Sequence, residues 1–224
     1  MKESTSADVA ALRARIAPGV ATVLKKAVQL GFLGGMPIGD QMDHALGFVY
    51  CVEMALGRPP RSLVDLGSGG GVPGLVLASC WPDSRVVLLD SNERRTAFLA
   101  AEAAVLFSGR PVEVVRSRAE DAGREDMYRG AFELVTARSF GTPAVVAECG
   151  APFMSEHGVL VVSEPPGDQS EARWPNRGLS ELGMSAGASV RFDDRFGYQV
   201  LRKIGETPAR FPRRVGIPSK RPVF

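Results

Sequence analysis

The chain has few of the residues that build metal centres and disulfides. Only two of its 224 residues are histidines, and three are cysteines. His44 and His157 are too few for a histidine-rich metal site, and we predict no metal ion. Cys51, Cys80 and Cys149 lack a C-x-x-C spacing, are odd in number and stand in apolar surroundings. This pattern predicts buried thiols in a reducing cytoplasm.

Long apolar segments are also missing. No apolar run approaches the roughly 18 residues of a membrane span, and the first eight residues lack the apolar centre of a signal peptide. We therefore expect a cytoplasmic protein with no membrane partner. The content of 45% hydrophobic and 23% charged residues is that of an ordinary globular protein. The length fits one α/β domain with a helical extension, or at most two small domains.

Positive charge is concentrated at the C-terminal end. The net charge is +2, yet residues 202–224 contain seven basic side chains and one acidic side chain. Residues 1–201 therefore carry twenty basic and twenty-four acidic side chains. A basic end on a mildly acidic body fits a polyanionic partner, and it fits equally well a tail that is merely solvated.

Helix and strand patterns alternate along the chain. An apolar stripe predicts a helix over residues 6–30, kinked or split at Pro18-Gly19, and a second helix covers 40–56. Strands alternating with helices then predict a parallel sheet wound on both faces, followed by a hairpin. The strands are expected at 63–66, 85–90, 111–116, 132–136 and 158–162, and those of the hairpin at 189–192 and 198–203. The resulting segments are a helical extension (1–57), an α/β domain (58–204) and a basic tail (205–224).

A glycine-rich turn follows the first of these strands. Four glycines occur between positions 67 and 71, and Pro73 then opens an apolar helical run. Glycines let the backbone approach a ligand because no Cβ intrudes, and the start of the helix offers unpaired N–H groups. A tight turn without a ligand is the plain alternative, but this combination of features favours a nucleotide-type cofactor loop.

The spacing of the glycines leaves two cofactors open. Positions 69, 71 and 74 match the G-x-G-x-x-G dinucleotide fingerprint, which alone is a weak signal. Asp65 with Gly67, Gly69 and Gly71 gives D-x-G-x-G-x-G, the pattern of S-adenosylmethionine-dependent methyltransferases. In that pattern the acid can reach the cofactor ammonium or the loop's own amides, whereas it would repel a pyrophosphate. The second pattern is therefore preferred over a nicotinamide cofactor.

Three positions beyond the loop bear on chemistry. Asp90 ends the second strand 23 positions after Gly67, where it can accept hydrogen bonds from ribose hydroxyls in dehydrogenases and methyltransferases alike. Glu120, with Ala119, follows the third strand and can either border an adenine or be an exposed loop acid. Arg138 ends the fourth strand, where it can bind a methionine carboxylate or a substrate phosphate, or form a plain surface ion pair.

Five segments together match the pattern of a known family. They read VDLGSGGGVPGL at 64–75, LLDSNERRTAFL at 88–99, RAE at 118–120, TAR at 136–138 and FPRRVGIPSKRP at 211–222. The chain thereby resembles the RsmG (GidB) family, bacterial methyltransferases that modify guanine N7 in small-subunit (16S) ribosomal RNA. The resemblance implies a class I, Rossmann-like α/β fold with a doubly wound, mostly parallel seven-stranded sheet behind the N-terminal helical extension. It also implies S-adenosylmethionine as cofactor and 16S rRNA or the small ribosomal subunit as partner, and a monomer is favoured.

The resemblance also suggests residues for the site. The S-adenosylmethionine site is expected to be lined by Gly67, Val72, Asp90, Ala119, Glu120 and Arg138. The other predicted cofactor contacts, in the loop and after the second strand, are Asp65, Ser68, Gly69, Gly71 and Ser91. Arg138 is the predicted catalytic residue, and Phe140 is a candidate for stacking on the target base. The side chains expected to hold RNA phosphates are Arg213, Arg214, Lys220 and Arg221.

Two segments depart from the family pattern. Gly34–Ile38 stands where the family carries Asn-Leu-Thr, and Ser163-Glu164 stands where the fifth strand usually ends in Lys-Gly. Both segments border the expected substrate mouth, where Glu164 is expected to repel RNA. A small-molecule methyltransferase, a non-catalytic RNA- or cofactor-binding module and an NAD-dependent oxidoreductase therefore stay open beside RNA methylation. His44 is expected in the core or in a structural hydrogen bond.

Overall fold

A computed structural model describes residues 6–110, 112–165, 173–193 and 195–224 of the protein. Its strands are β1 (Ser62–Leu66), β2 (Arg85–Asp90), β3 (Val112–Arg116), β4 (Phe132–Ala137), β5 (Met154–Glu164), β6 (Met184–Phe192) and β7 (Phe196–Lys203). Its helices are α1 (Ser6–Arg13), α2 (Gly19–Gln29), α3 (Ile38–Leu56), α4 (Gly74–Cys80), α5 (Glu93–Leu106), α6 (Ala119–Ala122), α7 (Pro143–Gly150), α8 (Asn176–Ser180) and α9 (Ile217–Lys220). A short 3₁₀ helix, Ala151–Phe153, links α7 to β5.

The strands form one seven-stranded sheet in the order β3-β2-β1-β4-β5-β7-β6. Strands β1 to β5 pair in parallel, and β7 pairs antiparallel with both β5 and β6. This arrangement confirms the predicted doubly wound sheet with a hairpin at one edge. The strand order reverses between β1 and β4, so the loops after these two strands open a crevice at the carboxyl edge of the sheet.

Each face of the sheet carries its own hydrophobic core, because successive strand residues point to opposite sides. Leu63 of β1 packs in one core with Val20 of α2 and Phe48 of α3, whereas Val64 packs in the other core with Val146 of α7. The N-terminal helices thus share a core with the sheet, and the C-terminal tail reaches the second core. The predicted segment boundaries at residues 57 and 204 therefore separate stretches of sequence that pack together.

The N-terminal half follows the predicted elements closely. The long helix pattern is split as predicted, since α1 ends at Arg13 and α2 begins at Gly19. Pro18 accounts for the break, because its ring cannot continue the helical hydrogen bonds. The third strand begins at Val112, and Pro111, its predicted first residue, lies outside the described residues.

The strands of the C-terminal half are longer than predicted, β5 and β6 most of all. Strand β5 begins at Met154 rather than at residue 158, because the polar run Ser155–His157 hides its start from an apolar pattern. Strand β6 begins at Met184 rather than at residue 189. Its pairing with β7 shifts register between Ala186 and Ser189, so its side chains do not alternate regularly.

The three cysteine thiols are buried and free, as predicted. Burial raises the pKa of each thiol, so they stay protonated and act as small apolar side chains. Within the described residues, we find no helix with the length and apolar character needed to cross a bilayer.

A substitution at Gly47 tests how closely α3 packs against β7. A Cβ at Gly47 would overlap the ring of Tyr198, whose hydroxyl donates to the carbonyl oxygen of His44 at 2.6 Å. Gly47→Ala should therefore lower the free energy of unfolding by about 1–3 kcal/mol, the usual cost of overpacking. Denaturant-induced unfolding measures this change.

Gly39→Ala in the same helix is the matched control, because nothing lies within 4 Å of a Cβ built there. This variant should leave the free energy of unfolding unchanged or slightly higher, since alanine is the better helix former. Equal stability of the two variants would contradict the close packing of α3 on β7.

Candidate active site

The glycine loop after β1 is folded back onto the sheet. Its glycines of positive φ are Gly67 (67°), Gly69 (56°) and Gly71 (98°), a region that other residues rarely enter. Ser68 closes the turn, since its N–H donates to Leu89 O at 3.0 Å and its hydroxyl donates to Asp65 O at 2.8 Å. The loop is therefore held by both β1 and β2.

Some predicted cofactor residues lie beneath the loop rather than on its surface. Ser68 is 2% exposed, and Val72 belongs to the first hydrophobic core. A Cβ at Gly71 would overlap the side chain of Leu75. These three residues support the conformation of the loop by packing beneath it. The sequence pattern alone could not distinguish them from residues that face a ligand.

Asp65 joins the end of β1 to two neighbouring elements. Its Oδ1 accepts a hydrogen bond from the Thr136 hydroxyl on β4 at 2.8 Å, and its Oδ2 accepts one from the Gly74 N–H at the start of α4 at 3.1 Å. The side chain is 1% exposed, and burial raises the pKa of Asp65 to about 6. Both oxygens of this acid are thus engaged by the chain itself, one of them by an amide just after the glycine loop.

Five predicted cofactor residues lie around one cavity. The cavity, of about 220 Å³, is surrounded by the loops after β1, β2, β3 and β4. The predicted residues in its wall are Gly67, Asp90, Ser91, Ala119 and Glu120. They meet here because the carboxyl ends of parallel strands share one edge of the sheet. Arg95 and Arg118 also border the cavity, although no sequence pattern assigned them to it.

Asp90 is anchored to the backbone and keeps acceptor capacity. Its Oδ2 accepts from the Gly69 N–H at 2.9 Å, and its Oδ1 accepts from the Asn92 N–H at 2.8 Å. A carboxylate offers about four lone-pair sites, so each oxygen can still accept a hydroxyl hydrogen. This geometry suits the ribose contact expected from the sequence.

Glu120 connects the cavity to the C-terminal tail. Its Oε1 accepts a hydrogen bond from the Gly216 N–H at 3.0 Å, across 96 positions of sequence. No local pattern signals such a contact. The tail therefore belongs to the surroundings of the cavity, which the sequence analysis did not anticipate.

A second cavity, of about 340 Å³, adjoins the first. Its wall includes His44 of α3, Arg138 after β4 and Glu164 at the end of β5. Ser139 and Phe140 line both cavities. Ser139 has φ of 52°, a conformation rare outside glycine, and such strain concentrates at functional sites. Two cavities that meet at one strained turn suit a reaction between two bound molecules.

Arg138 offers an unpaired donor at this junction. Its Nη2 donates to Gln41 Oε1 at 2.6 Å, while its buried Nη1 has no hydrogen-bond partner among the described residues. Burial lowers the pKa of Arg138, but a guanidinium remains charged. A buried cationic donor without a partner is costly, so Arg138 fits an anionic ligand group such as the carboxylate of S-adenosylmethionine.

Gln41 was missed by the sequence analysis and links two parts of the mouth. Its Nε2 donates to Gly34 O at 3.1 Å, and its Oε1 accepts from Arg138. The segment Gly34–Ile38, which departs from the family pattern, is thus tied to the predicted catalytic arginine. Gln41 is 1% exposed, so this link is shielded from water.

Glu164 is not a free acid at the mouth. Its Oε2 accepts from Arg173 Nε at 2.6 Å, and its Oε1 accepts from Trp174 Nε1 at 2.8 Å. The expectation that Glu164 repels RNA does not hold, because Arg173 neutralises it and brings a cation to the cavity wall. No sequence pattern signals this pair, since the arginine lies beyond the strand that carries the acid.

His44 packs in an aromatic cluster, as expected. Its ring lies 4.9 Å from Phe196, 5.5 Å from Tyr198 and 5.8 Å from Phe48, measured between ring centroids. Burial, with the nearby charge of Arg138, lowers the pKa of His44 to about 3, so the ring is neutral near pH 7. It contributes to the wall of the second cavity without carrying charge.

The predicted RNA contacts fall into two groups. Arg213 faces inward and forms an ion pair with Glu148 on α7 at 2.6 Å. Arg214, Lys220 and Arg221 are exposed and form no ion pair with any described residue. The basic tail is therefore partly a structural element and partly a charged surface.

The sheet order, the glycine loop after β1 and the acid after β2 define a class I methyltransferase fold. Solved structures share it. Cofactor-bound Rv0187 from MTB is 20% identical with a TM-score of 0.58, covering 85% of this chain and 91% of that one. The antibiotic-resistance methyltransferase Kmr is 16% identical with a TM-score of 0.55, covering 70% and 92%.

The chain belongs to the rRNA small subunit methyltransferase G family, whose pattern matches residues 43–178. The ribosomal RNA small subunit methyltransferase G of Pelotomaculum thermopropionicum is 34% identical over 187 residues, covering 81% of this chain and 78% of the relative. The protein of that name from Thermotoga sp. (strain RQ2) is 37% identical over 167 residues, covering 73% and 72%.

The buried Asp65 should make stability depend on pH. Its pKa is about 6 in the folded protein, against about 3.9 for an unperturbed aspartate. A carboxyl whose pKa is raised by folding contributes its full stability below the unfolded value, and that contribution is lost as pH rises through the folded value. Relative to Asp65→Asn, the wild type should lose on the order of 3 kcal/mol between roughly pH 4 and pH 7.

Denaturant-induced unfolding of both proteins across this pH range measures the difference. Asparagine can still accept from the Gly74 N–H and donate to the Thr136 hydroxyl, so the variant should fold. Other carboxyl groups titrate equally in the two proteins and cancel in the comparison. Parallel pH profiles would show that Asp65 does not titrate in this range.

Proposed function

We propose that this protein transfers the methyl group of S-adenosylmethionine to N7 of a guanine in 16S ribosomal RNA. The observation that carries the proposal is the pair of adjoining cavities in a chain of this family: Asp90 borders one, and Arg138 with its unpaired donor borders the other. The acceptor is 16S rRNA, free or within the small subunit. We place the protein in the cytoplasm and expect a monomer.

The first cavity would hold the cofactor. Asp90 would accept from the ribose hydroxyls there, and Ala119 and Glu120 would border the adenine. The methionine part would reach past the Ser139–Phe140 turn, so that its carboxylate pairs with Arg138 in the wall of the second cavity. Gly67 must remain a glycine here, because a Cβ would lie 2.8 Å from the Phe140 ring that covers the loop. S-adenosylmethionine, when bound, supplies a methyl group on a positively charged sulfur.

The chemistry at guanine N7 requires little from the chain. N7 carries a free lone pair, so a bond to the methyl carbon forms as the carbon–sulfur bond breaks and no proton has to leave. The positive charge passes from sulfur to the base, with S-adenosylhomocysteine as the other product. We therefore assign no general base. Catalysis consists of holding N7 in line with the methyl group in a site that excludes water.

The residues at the junction of the cavities provide this alignment. Ser139 and Phe140 separate the two spaces, so a base in the second cavity approaches the first across this turn. Phe140 is placed to stack on a base that has left its helix. Arg138 orients the cofactor through Nη1 while Gln41 holds its other nitrogen.

The exposed basic residues of the tail would hold RNA phosphates. Arg214, Lys220 and Arg221 have no ion-pair partner among the described residues and are free to contact a polyanion. Such contacts orient the RNA without reading its sequence. Arg213, predicted as a fourth contact, is engaged by Glu148 and is left out of this set.

The main argument for a small-molecule acceptor was the acid at the mouth. Arg173 compensates Glu164, so that argument no longer applies. The D-x-G-x-G-x-G loop continues to disfavour a nicotinamide cofactor.

A transfer assay tests the proposal directly. The protein is incubated with labelled S-adenosylmethionine and small ribosomal subunits from cells that lack their own N7 enzyme, and the labelled base is mapped. Label on a guanine N7 of 16S rRNA is expected. Arg138→Ala should lower the rate at least about a hundredfold, because it removes the group that orients the reactants.

The same assay separates the alternatives. No label on subunits or free RNA, with S-adenosylhomocysteine binding intact, would reject RNA methylation and favour a small-molecule acceptor. A near wild-type rate for a folded Arg138→Ala protein would remove Arg138 from the site.

The exposed tail cations predict a salt-dependent RNA affinity. The triple variant Arg214→Ala, Lys220→Ala, Arg221→Ala should bind 16S rRNA more weakly, and the slope of log affinity against log salt should fall by about 2 to 3. Titrations at several salt concentrations measure both effects.

Arg85→Ala is the control for the change in charge. Arg85 is exposed at the amino end of β2, on the opposite edge of the sheet from the cavities. Its loss should leave the salt slope unchanged. An unchanged slope in the triple variant would mean that the tail does not contact phosphates.

A further inference from the structure

The tail carries one arginine that faces the protein interior. The backbone N–H and the Nε of Arg213 donate to Glu148 Oε1 at 2.9 and 2.8 Å, and its Nη2 donates to Glu148 Oε2 at 2.6 Å. The Glu148 side chain is 0% exposed. A buried carboxylate without its partner would be strongly unfavourable, so this pair fixes the tail to α7 at residue 213.

The same arginine closes part of the tail into a loop. Its Nη2 also donates to Arg221 O at 2.6 Å. Gly216 lies within the segment 213–221, and its N–H donates to Glu120 Oε1 at 3.0 Å. The segment is therefore fixed at one point by Glu148 and touches the cofactor cavity at another.

Two arginines of the α/β domain bind the backbone of the residues just before this segment. Arg124 donates to Pro212 O through Nε at 3.0 Å and through Nη2 at 2.7 Å. Arg129 Nη1 donates to Phe211 O at 2.8 Å, and the Phe211 ring is buried in the second core. The path of the tail is thus defined up to Arg213.

We infer that Arg213 is a positioning residue for the cofactor cavity: it holds the tail so that the Gly216 N–H fixes the side chain of Glu120. This inference rests on the proposed function, because it takes the ligand of that cavity to be S-adenosylmethionine. It assigns Arg213 to cofactor affinity, whereas the sequence analysis assigned it to RNA.

The physical reason is preorganisation. Glu120 lies on the short helix α6 and is only partly buried. The hydrogen bond from the Gly216 N–H to Oε1 restricts the rotation of the Glu120 side chain. Oε2 of Glu120 is therefore already oriented before a ligand binds. Without that bond the side chain must be ordered during binding, which weakens affinity.

Arg213→Lys is the first test, performed on the full chain. Lysine keeps the charge beside Glu148 but cannot make the forked contacts to Glu148 and Arg221 O. Affinity for S-adenosylhomocysteine, measured by calorimetry, should fall about tenfold, the effect of losing one hydrogen bond to a charged group. The KM for S-adenosylmethionine should rise by a similar factor, while kcat at saturating cofactor stays near the wild-type value.

Arg214→Ala is the matched control. Arg214 is the next residue, carries the same charge and is exposed, so its loss should leave affinity for S-adenosylhomocysteine unchanged. Glu148→Gln provides a second route to the same weakening. It removes the charge but keeps an amide oxygen for the Arg213 N–H, and so leaves no buried charge unpaired on α7.

A double-mutant cycle separates positioning from general loosening of the fold. If Arg213 acts through Glu120, adding Arg213→Lys to Glu120→Ala should change affinity for S-adenosylhomocysteine by less than about twofold. Full additivity of the two losses would overturn the inference. So would wild-type affinity in both Arg213→Lys and Glu148→Gln. Failure of the wild type to bind S-adenosylhomocysteine would instead reject the proposed function itself.

Discussion

The buried carboxylate of Asp65 sets the geometry on which the site depends. Thr136 on β4 and Gly74 at the start of α4 both donate to it. The ends of β1 and β4 and the start of α4 are thereby fixed relative to one another. The glycine loop and the Ser139–Phe140 turn begin at these strand ends and line the cavities. The contacts of Asp65 therefore help to set where the two cavities lie. Burial disfavours the charged carboxylate, and these two hydrogen bonds offset part of that effect.

In the proposed function, the two cavities hold the two reactants of the transfer. The wall of the first cavity includes Asp90 and Glu120, which suit a nucleoside, and the wall of the second includes the aromatic ring of Phe140, which suits a base. The mouth of the second cavity lacks the usual Lys-Gly of the family and carries Glu164 instead. Arg173 pairs with this acid, so the change leaves no net negative charge there.

The tail shows how position decides the role of identical side chains. Arg213 and Arg214 are neighbours of the same type, but one is paired with a buried acid and the other is exposed. A count of positive charges treats them alike. Burial separates them, because a guanidinium engaged by a buried carboxylate is not available to a phosphate. The tail accordingly joins an exposed basic surface to the wall of the cavity that Glu120 borders.

The sequence by itself predicted where each strand lies along the chain, the parallel winding with its hairpin, and the positions of Gly67, Asp90 and Glu120 just at or after strand ends. Apolar runs and glycine spacing record local backbone conformation, and parallel winding then brings the strand ends together. Only the tertiary structure decided which side chains contact each other, such as Gln41 with Arg138 and Arg173 with Glu164. The Gly216–Glu120 contact spans 96 positions. Such pairs depend on how helices, loops and tail pack over the sheet, and no local pattern encodes that packing.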